Sequence, residues 1–465
     1  MKHHYIKFKS YSLLYVALSG CLSSACSQFI KIDDPIDRIT TNAVFTDEAT
    51  ATSAVMGLYA KMLINSPTIT SGATTIYAGL TADELSYTGS AISYRAFLDN
   101  QITEGEGVIA NNFWRFGYEY IYHANTCIES LSKSTINKEI KDQLLGEVYT
   151  LRAFCYWYLT HLFGDVPLLL TPDYEENSTV GRTAKAQIIA QITSDLGEAY
   201  GLLKEQYFGS DRERINKWTA AAFLARAYLY QQRYDLAVQY ATEVMNQNSY
   251  KLEENLNNVF LISSEEAIWR LVERTDLFRA PRETAIFIPT IVPTSLPLCP
   301  ITQNLLDAFE VNDQRLEDWT ASKTVRGAVF TYPFKFKSRD GSILVESIIP
   351  FRLGEVFLIR SEAYLNLELY NESLHDLNRI RNRAGLENLV TVDPDILAES
   401  ILQERRIELF GEWGHRWFDL KRIGKISDVL SLSKPNWSAN ATLWPIPYSQ
   451  RLRNPNLTQN DGYEQ

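Results

Sequence analysis

The segment richest in reactive side chains is "ERRIELFGEWGHRWFDLKRIG", residues 404–424. Glu404 and Glu408 lie one helical turn apart with Arg405 and Arg406 between them, and His415, Arg416 and Asp419 follow. Two carboxylates and a histidine could run acid–base chemistry such as glycoside hydrolysis, provided they converge on one pocket with separated pKa values. The same residues, at helical spacing and mixed with arginines, also suit partly buried ion pairs that tie helices together. We expect ion pairs and no catalytic residue, with a surface glycoside hydrolase as the minor alternative. His3, His4, His123, His161, His375 and His415 have no metal-ligand spacing, and HExxH, Cys/His clusters, P-loop, GxGxxG and GxSxG motifs are absent, so no metal or cofactor is expected. "VNDQRLEDW", residues 311–319, has three acids but lacks the glycine and closing glutamate of an EF-hand loop, and is expected to be a solvated loop.

The elements that must carry these residues are helices. Helical periodicity recurs at residues 112–132, 138–163, 183–203, 216–232, 234–247, 351–369, 371–384, 395–413 and 416–423, after a first helix near 46–63 with Thr46 as expected N-cap. Strand-like alternation is weak and scattered, with the best candidates at residues 266–272 and 332–338. Leu224, Ala225, Tyr228 and Ala237 match the packing positions of a tetratricopeptide (TPR) hairpin, whose small residues let two helices approach closely. The small-x-x-Tyr step recurs as Ala153/Tyr156 and Ser361/Tyr364, the last 136 residues after Tyr228, four periods of about 34 residues. In "LRAFCYWYLTHLFGDVPLLL", residues 151–170, Phe154, Trp157 and Tyr158 share one helix face, so this run of rings belongs to a core; Gly164 and Pro167 end the helix. Trp269, in an alternating apolar stretch, is also assigned to the core.

At 465 residues with a net charge of −11, the chain is a poor partner for nucleic acid or an anionic membrane surface. Lys2, Lys7 and Lys9 precede a short apolar run, Ser12 to Leu18, and then Leu18-Ser19-Gly20-Cys21, the order of a bacterial lipobox. Cys26 is a second candidate for acylation. The expected mature chain is exported, anchored by lipid at Cys21 or Cys26, and otherwise soluble. Cys127, Cys155 and Cys299 are too sparse for a disulfide framework.

Several segments in order resemble the SusD/RagB family of outer-membrane lipoproteins from Bacteroidetes: "CSQFI", "LRAFCYWYLTHLFGDVPLL", "RTAKAQIIAQITSDLGEAYGLL", "INKWTAAAFLARAYLYQQRYDLAVQYATEVM", "FRLGEVFLIRSEAYLNL", "LNRIRNRAGL", "ILQERRIELFGEWGHRWFDLKRIG" and "LWPIPYSQRLRNPNLTQNDGY". Two departures are Gly354 where alanine is usual, and Ile30-Lys31 in place of Leu-Asp. The resemblance implies a mainly α fold, with TPR-type hairpins in a right-handed scaffold, an irregular loop-rich second layer and a few short strands. It divides the chain into a leader (1–26), an N-terminal region (27–260) and a C-terminal region (261–465) with a loop-rich insert at 273–341. It implies a surface-exposed outer-membrane protein that captures oligosaccharides, or in some members peptides, without catalysis, and caps a SusC-like TonB-dependent transporter.

Sugar capture needs rings outside helical periodicity, because a pyranose lays its C–H face on an aromatic ring while its hydroxyls bond polar side chains. Tyr77, Asp83, Tyr87, Tyr94 and Arg95 are one group of candidates, with residues 85–95 expected as an exposed loop. Phe287, Trp319 and Tyr332, with Phe278, are a second, in the insert where Pro289, Pro293, Pro297 and Pro300 rule out a regular helix. The family builds its ligand face from these two regions.

Overall fold

The computed structural model describes residues 44–64, 67–209, 211–272, 280–339 and 345–463. Cys21, Cys26 and Phe278 lie outside the described residues. The helix α1 (Glu48–Ile64) is capped by Asp47 and not by Thr46: its carboxylate accepts from the amides of Ala49 and Thr50, both at 3.0 Å. A carboxylate reaches two first-turn amides and also complements the positive end of the helix.

There follow α2 (Ala73–Thr81), α3 (Ile92–Leu98), a π-helical turn (Ile109–Arg115), α4 (Phe116–Lys133), α5 (Lys138–Phe163), α6 (Lys185–Leu202), α7 (Lys217–Tyr230) and α8 (Tyr234–Met245). The second half holds β1 (Ala267–Leu271), β2 (Thr320–Val325), β3 (Ala328–Pro333), β4 (Ile348–Arg352), α9 (Leu353–Asn366), α10 (Tyr370–Arg383), α11 (Pro394–Glu408), α12 (His415–Arg422) and α13 (Ile426–Ser433). The fold is mainly α with few, short strands. Strand β1 pairs antiparallel with β4, and β2 with β3. Residues 332–338 do not form the expected strand: only Tyr332 and Pro333 belong to one, at the end of β3. The insert holds a regular hairpin instead, closed at Arg326 and Gly327, both at positive φ, which suits a two-residue turn between twisted strands.

The repeat read from the sequence is present as a repeated turn. In the hairpin α7–α8, the amide of Arg233 donates to the carbonyl of Tyr228 at 2.9 Å across Gln232, at φ 58°. In α9–α10, Leu369 donates to Tyr364 at 2.9 Å across Glu368, at φ 60°. Ala225 and Ala237 are fully buried at the close approach in the first hairpin. Their counterparts Ser361 and Ser373 exchange hydroxyl-to-carbonyl bonds of 2.8 and 2.7 Å in the second.

The aromatic run of α5 is core. Phe154 meets Tyr158, Trp269 and Trp413 edge to face at 5.0–5.3 Å, a favoured ring geometry. Gly164, at φ 77°, stops the helix with its amide still donating to Thr160. Trp269 is fully buried, its indole N–H donating to the Glu213 carbonyl at 3.0 Å. The largest apolar cluster runs from Phe45 to Leu457 and draws on both sides of residue 260.

Beside this core lies a buried ionic cluster. The Glu408 carboxylate takes Arg352 at 2.5 Å, Arg315 at 3.0 Å, and Arg383. Glu266 joins Arg352 at 2.9 Å and Arg383 at 2.7 Å; Glu412 joins Arg352 at 2.9 Å and Lys335 at 2.5 Å; Glu404 joins Arg315 at 2.6 Å. Burial alone would raise the Glu408 carboxyl, but Arg383, Arg352 and Arg315 hold it well below the usual carboxylate range. The segment 311–319 is only partly the solvated loop expected: Asp313 and Arg315 belong to this cluster, paired at 2.8 Å and buried, while Val311, Gln314 and Glu317 face solvent. Gly354 also belongs to it, since a Cβ there would sit 2.5 Å from Arg352, 2.8 Å from Glu266 and 3.0 Å from Glu408.

Removing one member of such a set leaves its partners charged and unpaired in the interior. Glu408→Gln should therefore cost about 3–5 kcal/mol in urea denaturation, against about 0.5 kcal/mol or less for Glu317→Gln on the surface. A loss below about 1 kcal/mol would show the cluster contributes little net stability.

Candidate functional site

The two regions singled out for their rings meet, through backbone pairing. Residues 84–88 run antiparallel to 298–302: Ser86 donates to the Pro300 carbonyl at 2.8 Å, Thr88 to Leu298 at 3.1 Å, and Thr302 to Glu84 at 2.9 Å. Ile301 donates to Thr331 at 2.8 Å, which joins this pair to the hairpin β2–β3. The proline-rich run thus works as an edge partner with few amides to donate.

On this support Tyr87 and Tyr94 stack, ring centres 4.9 Å apart and planes 8° from parallel. The Arg95 guanidinium lies 5.9 Å from the Tyr87 ring and donates to the Gly89 carbonyl at 3.2 Å. Gly89 is needed for the arrangement, because a Cβ would fall 2.4 Å from the Tyr87 hydroxyl oxygen. That hydroxyl accepts from the Ala91 amide at 2.9 Å, fixing the ring at the entry to α3. Burial raises the Tyr94 phenol, which is hydrogen-bonded to the hydroxyl of Tyr77 beneath it. Both rings are half-buried, while Arg95 and Ile92 are exposed. Ile291 and Val292 are exposed in the proline-rich run, which Lys323 anchors from β2 by donating to the carbonyls of Thr290 at 2.9 Å and Val292 at 2.7 Å. Sequence periodicity gave no warning of these aliphatic residues.

The other candidates do not reach the surface. Residues 85–95 are not wholly an exposed loop, since α3 begins at Ile92 and Leu85 is buried. Tyr77 is 4% exposed, and backs the stack from α2 with its ring 5.3 Å from Tyr94. Phe287, 2% exposed, is packed in the main core. Trp319 has no exposure and lies in a second apolar cluster, its indole donating to the Leu256 carbonyl at 3.0 Å. Tyr332 is buried in β3, edge-on to Phe334 at 6.0 Å. These four rings are large enough to serve packing, and the structure spends them on it.

Asp83 is corrected likewise. It is buried, and takes Arg416 at 2.8 Å and Arg406 at 3.0 Å. Burial opposes its charge, but the two arginines outweigh it and lower the carboxyl. Its neighbour Glu84 has no such partner: burial, then the Asp83 charge, push its carboxyl up to about 8, and its Oε1 has no hydrogen bond.

The "ERRIELF" carboxylates are ion-pair members: Glu404 with Arg315, and Glu408 with Arg315, Arg352 and Arg383. Arg405 pairs with Asp419 at 2.9 Å, and burial lowers the His415 imidazole to about 4, leaving it neutral. No group of three or more His, Cys, Asp or Glu that could hold a metal occurs among the described residues. No described helix is long and apolar enough to cross a membrane.

A family model described as "Starch-binding associating with outer membrane" matches residues 40–229, and one described as "SusD family" matches residues 335–439. A SusD-like protein of Formosa agariphila is 25% identical over 97% of this chain and 98% of its own. One of Bacteroides ovatus is 22% identical over 89% of this chain and 82% of its own. Among solved structures, a SusD superfamily protein from Bacteroides vulgatus superposes with a TM-score of 0.80 at 21% identity, covering 90% of this chain and 99% of that one. A laminarin-binding SusD-like protein gives 0.77 at 22% identity, covering 90% and 100%.

Glu84 supplies a test of this region. The folded chain keeps its proton up to about pH 8, whereas an unfolded glutamate releases it near about 4.3, so stability falls as pH rises through that window. Glu84→Gln removes the fall. Its melting temperature should be close to the parent's at pH 5 and above it at pH 8; a lower value at pH 8 would mean Glu84 is ionised and paired.

Proposed function

The chain belongs to the SusD/RagB family, and from that premise we propose that it is a cell-surface binding lipoprotein. It captures oligosaccharides at the Tyr87–Tyr94 surface and carries out no chemistry on them. The observation that carries this reading is the stacked tyrosine pair with Arg95 beside it. The rings offer an apolar surface to the C–H face of a pyranose, and the guanidinium offers bonds to its hydroxyls. Exposed Ile92, at the start of the helix that carries Tyr94, adds an aliphatic side chain. The family's binding members, one of them a relative in fold named for laminarin, support a glycan over other cargo.

Lipid at Cys21 or Cys26 holds the protein at the outer membrane, and a SusC-like transporter lies beneath it as the route for bound cargo. Intact mass of the mature N-terminus identifies the acylated cysteine, and pull-down from detergent-solubilised outer membranes identifies the transporter.

The first experiment is affinity electrophoresis of the full chain, in detergent, through gels containing plant, host or microbial polysaccharides. Retardation by one class is expected, weakened about tenfold in apparent affinity by Tyr94→Ala or Tyr87→Ala. Trp319→Ala should instead lower the melting temperature, because that ring is core. Retardation by no polysaccharide, with calorimetric binding of a peptide, would replace the glycan reading with a peptide one. Release of reducing ends by the pure protein, lost in Glu404→Gln, would overturn the binding-only reading.

A further inference from the structure

Away from the Tyr87–Tyr94 surface lies a concavity built from entirely different residues. It is a cleft of about 400 Å³ between the π-helical turn, the start of α4, the loop after α5 and the C-terminal turn at 448–453. That volume is within the range of small-molecule sites, about 300–1,000 Å³. None of its lining belongs to the Tyr87–Tyr94 surface.

Its walls are fixed. The Tyr118 hydroxyl donates to the Pro167 carbonyl at 2.9 Å, and its ring rests 5.1 Å from Trp114. Asn454 donates to Val180 at 2.8 Å and Asn177 to Thr171 at 2.7 Å, stitching the C-terminal turn and the 171–180 loop into place. Asp173 caps the short helix at 174–177, accepting from Glu175 and Glu176, and so sets Tyr174, whose side chain is 81% exposed over the cleft.

The charges are unusual for this molecule. Among the described residues, nearly every arginine has a carboxylate or carbonyl partner; Arg115, Arg326, Arg379 and Arg453 show none, and two of these four, Arg115 and Arg453, line this one cleft. Among the described residues, Arg115 meets the Phe116 ring, 4.2 Å from its centre, and no carboxylate. The acid in the lining, Glu119, is already matched to Lys61 at 3.3 Å. The side chain of Gln450 also lines the cleft and offers both a donor and an acceptor. Among the described residues, Arg115 and Arg453 thus place two guanidiniums without carboxylate partners at the cleft, while the acids Asp173, Glu175 and Glu176 flank Tyr174 without lining it.

We propose that this cleft is a second saccharide site, for a sugar ring bearing a negative group, either a carboxylate or a sulfate ester. The Tyr174 and Tyr118 rings take the apolar face of the sugar, and Arg115 and Arg453 take its anionic group with charge-assisted bonds. The site operates whatever the Tyr87–Tyr94 surface binds. The two sources of charge are separated by the ligands of the test.

The full chain in detergent is titrated by calorimetry with an oligogalacturonate, a sulfated galactan oligosaccharide and a neutral malto-oligosaccharide. One acidic ligand should bind, weaken as salt is raised, and lose about tenfold in affinity in Arg115→Gln and in Arg453→Gln. Tyr174→Ala should weaken it too, and Tyr94→Ala should leave it unchanged. Arg115, Arg453 and Tyr174 are exposed, so their variants retain the fold, checked by the melting temperature. Which acidic ligand binds identifies the carboxylate or the sulfate ester. Failure of both, equal binding of the neutral ligand, preference for an acidic peptide, or loss in Tyr94→Ala would each overturn the proposal. Retention of neutral-glycan binding at the first surface would leave that reading intact.

Discussion

Glu408 has no contact with solvent and is shared by the guanidinium groups of Arg315, Arg352 and Arg383. A charge in that position is tolerable only if every neighbour arrives in its place, because desolvation costs several kcal/mol for each ion. Much of the second half of the chain follows from this constraint. Strand β4 must end at Arg352 beside Glu266, α10 must end at Arg383, and α11 must end at Glu408. Even the backbone concedes space at Gly354, where a methyl group would strike three charged side chains. The apolar core surrounds these elements; the ionic cluster sets their register.

The candidate capture surface depends on the same arrangement at one remove. Asp83 is the last charged residue before the segment that carries Tyr87, and it is held by Arg406 and Arg416 from α11 and α12. The segment then pairs with 298–302, which pairs with β3. The exposed part of the surface is light: two half-buried rings, one guanidinium and the aliphatic side chain of Ile92. What changes easily there is chemistry; what does not change easily is position.

The helices and the repeat were legible because periodicity is a local property. The small-x-x-Tyr step marks both hairpins, whose turns match down to a residue at positive φ in the same place, whereas its third instance, Ala153/Tyr156, lies inside α5 with no turn after it. The "ERRIELF" segment was read correctly as ion pairs, since arginines interleaved with acids at helical spacing have few other uses. Rings were harder. Tyr87 and Tyr94 reached the surface and Trp319, Phe287 and Tyr332 did not, although all lay outside clear helical periodicity. The difference arises from partners far along the chain: Trp319 is covered by Leu256 and Phe260, and no local pattern announces that. The hairpin β2–β3 was missed because its signal was only a short alternation around Arg326-Gly327. Arg115 and Arg453 were invisible for a similar reason. An unpaired arginine is defined by what fails to approach it, which sequence spacing does not encode.

The pairing of distant charges also dictates an order of assembly. Arg226 in α7 is fully buried against Glu355 in α9, and Asp83 waits for residues more than three hundred positions later. A chain that emerges N-terminus first holds these groups without their partners until its last quarter is present. A chain stopped before α12 therefore leaves buried Asp83 without Arg416.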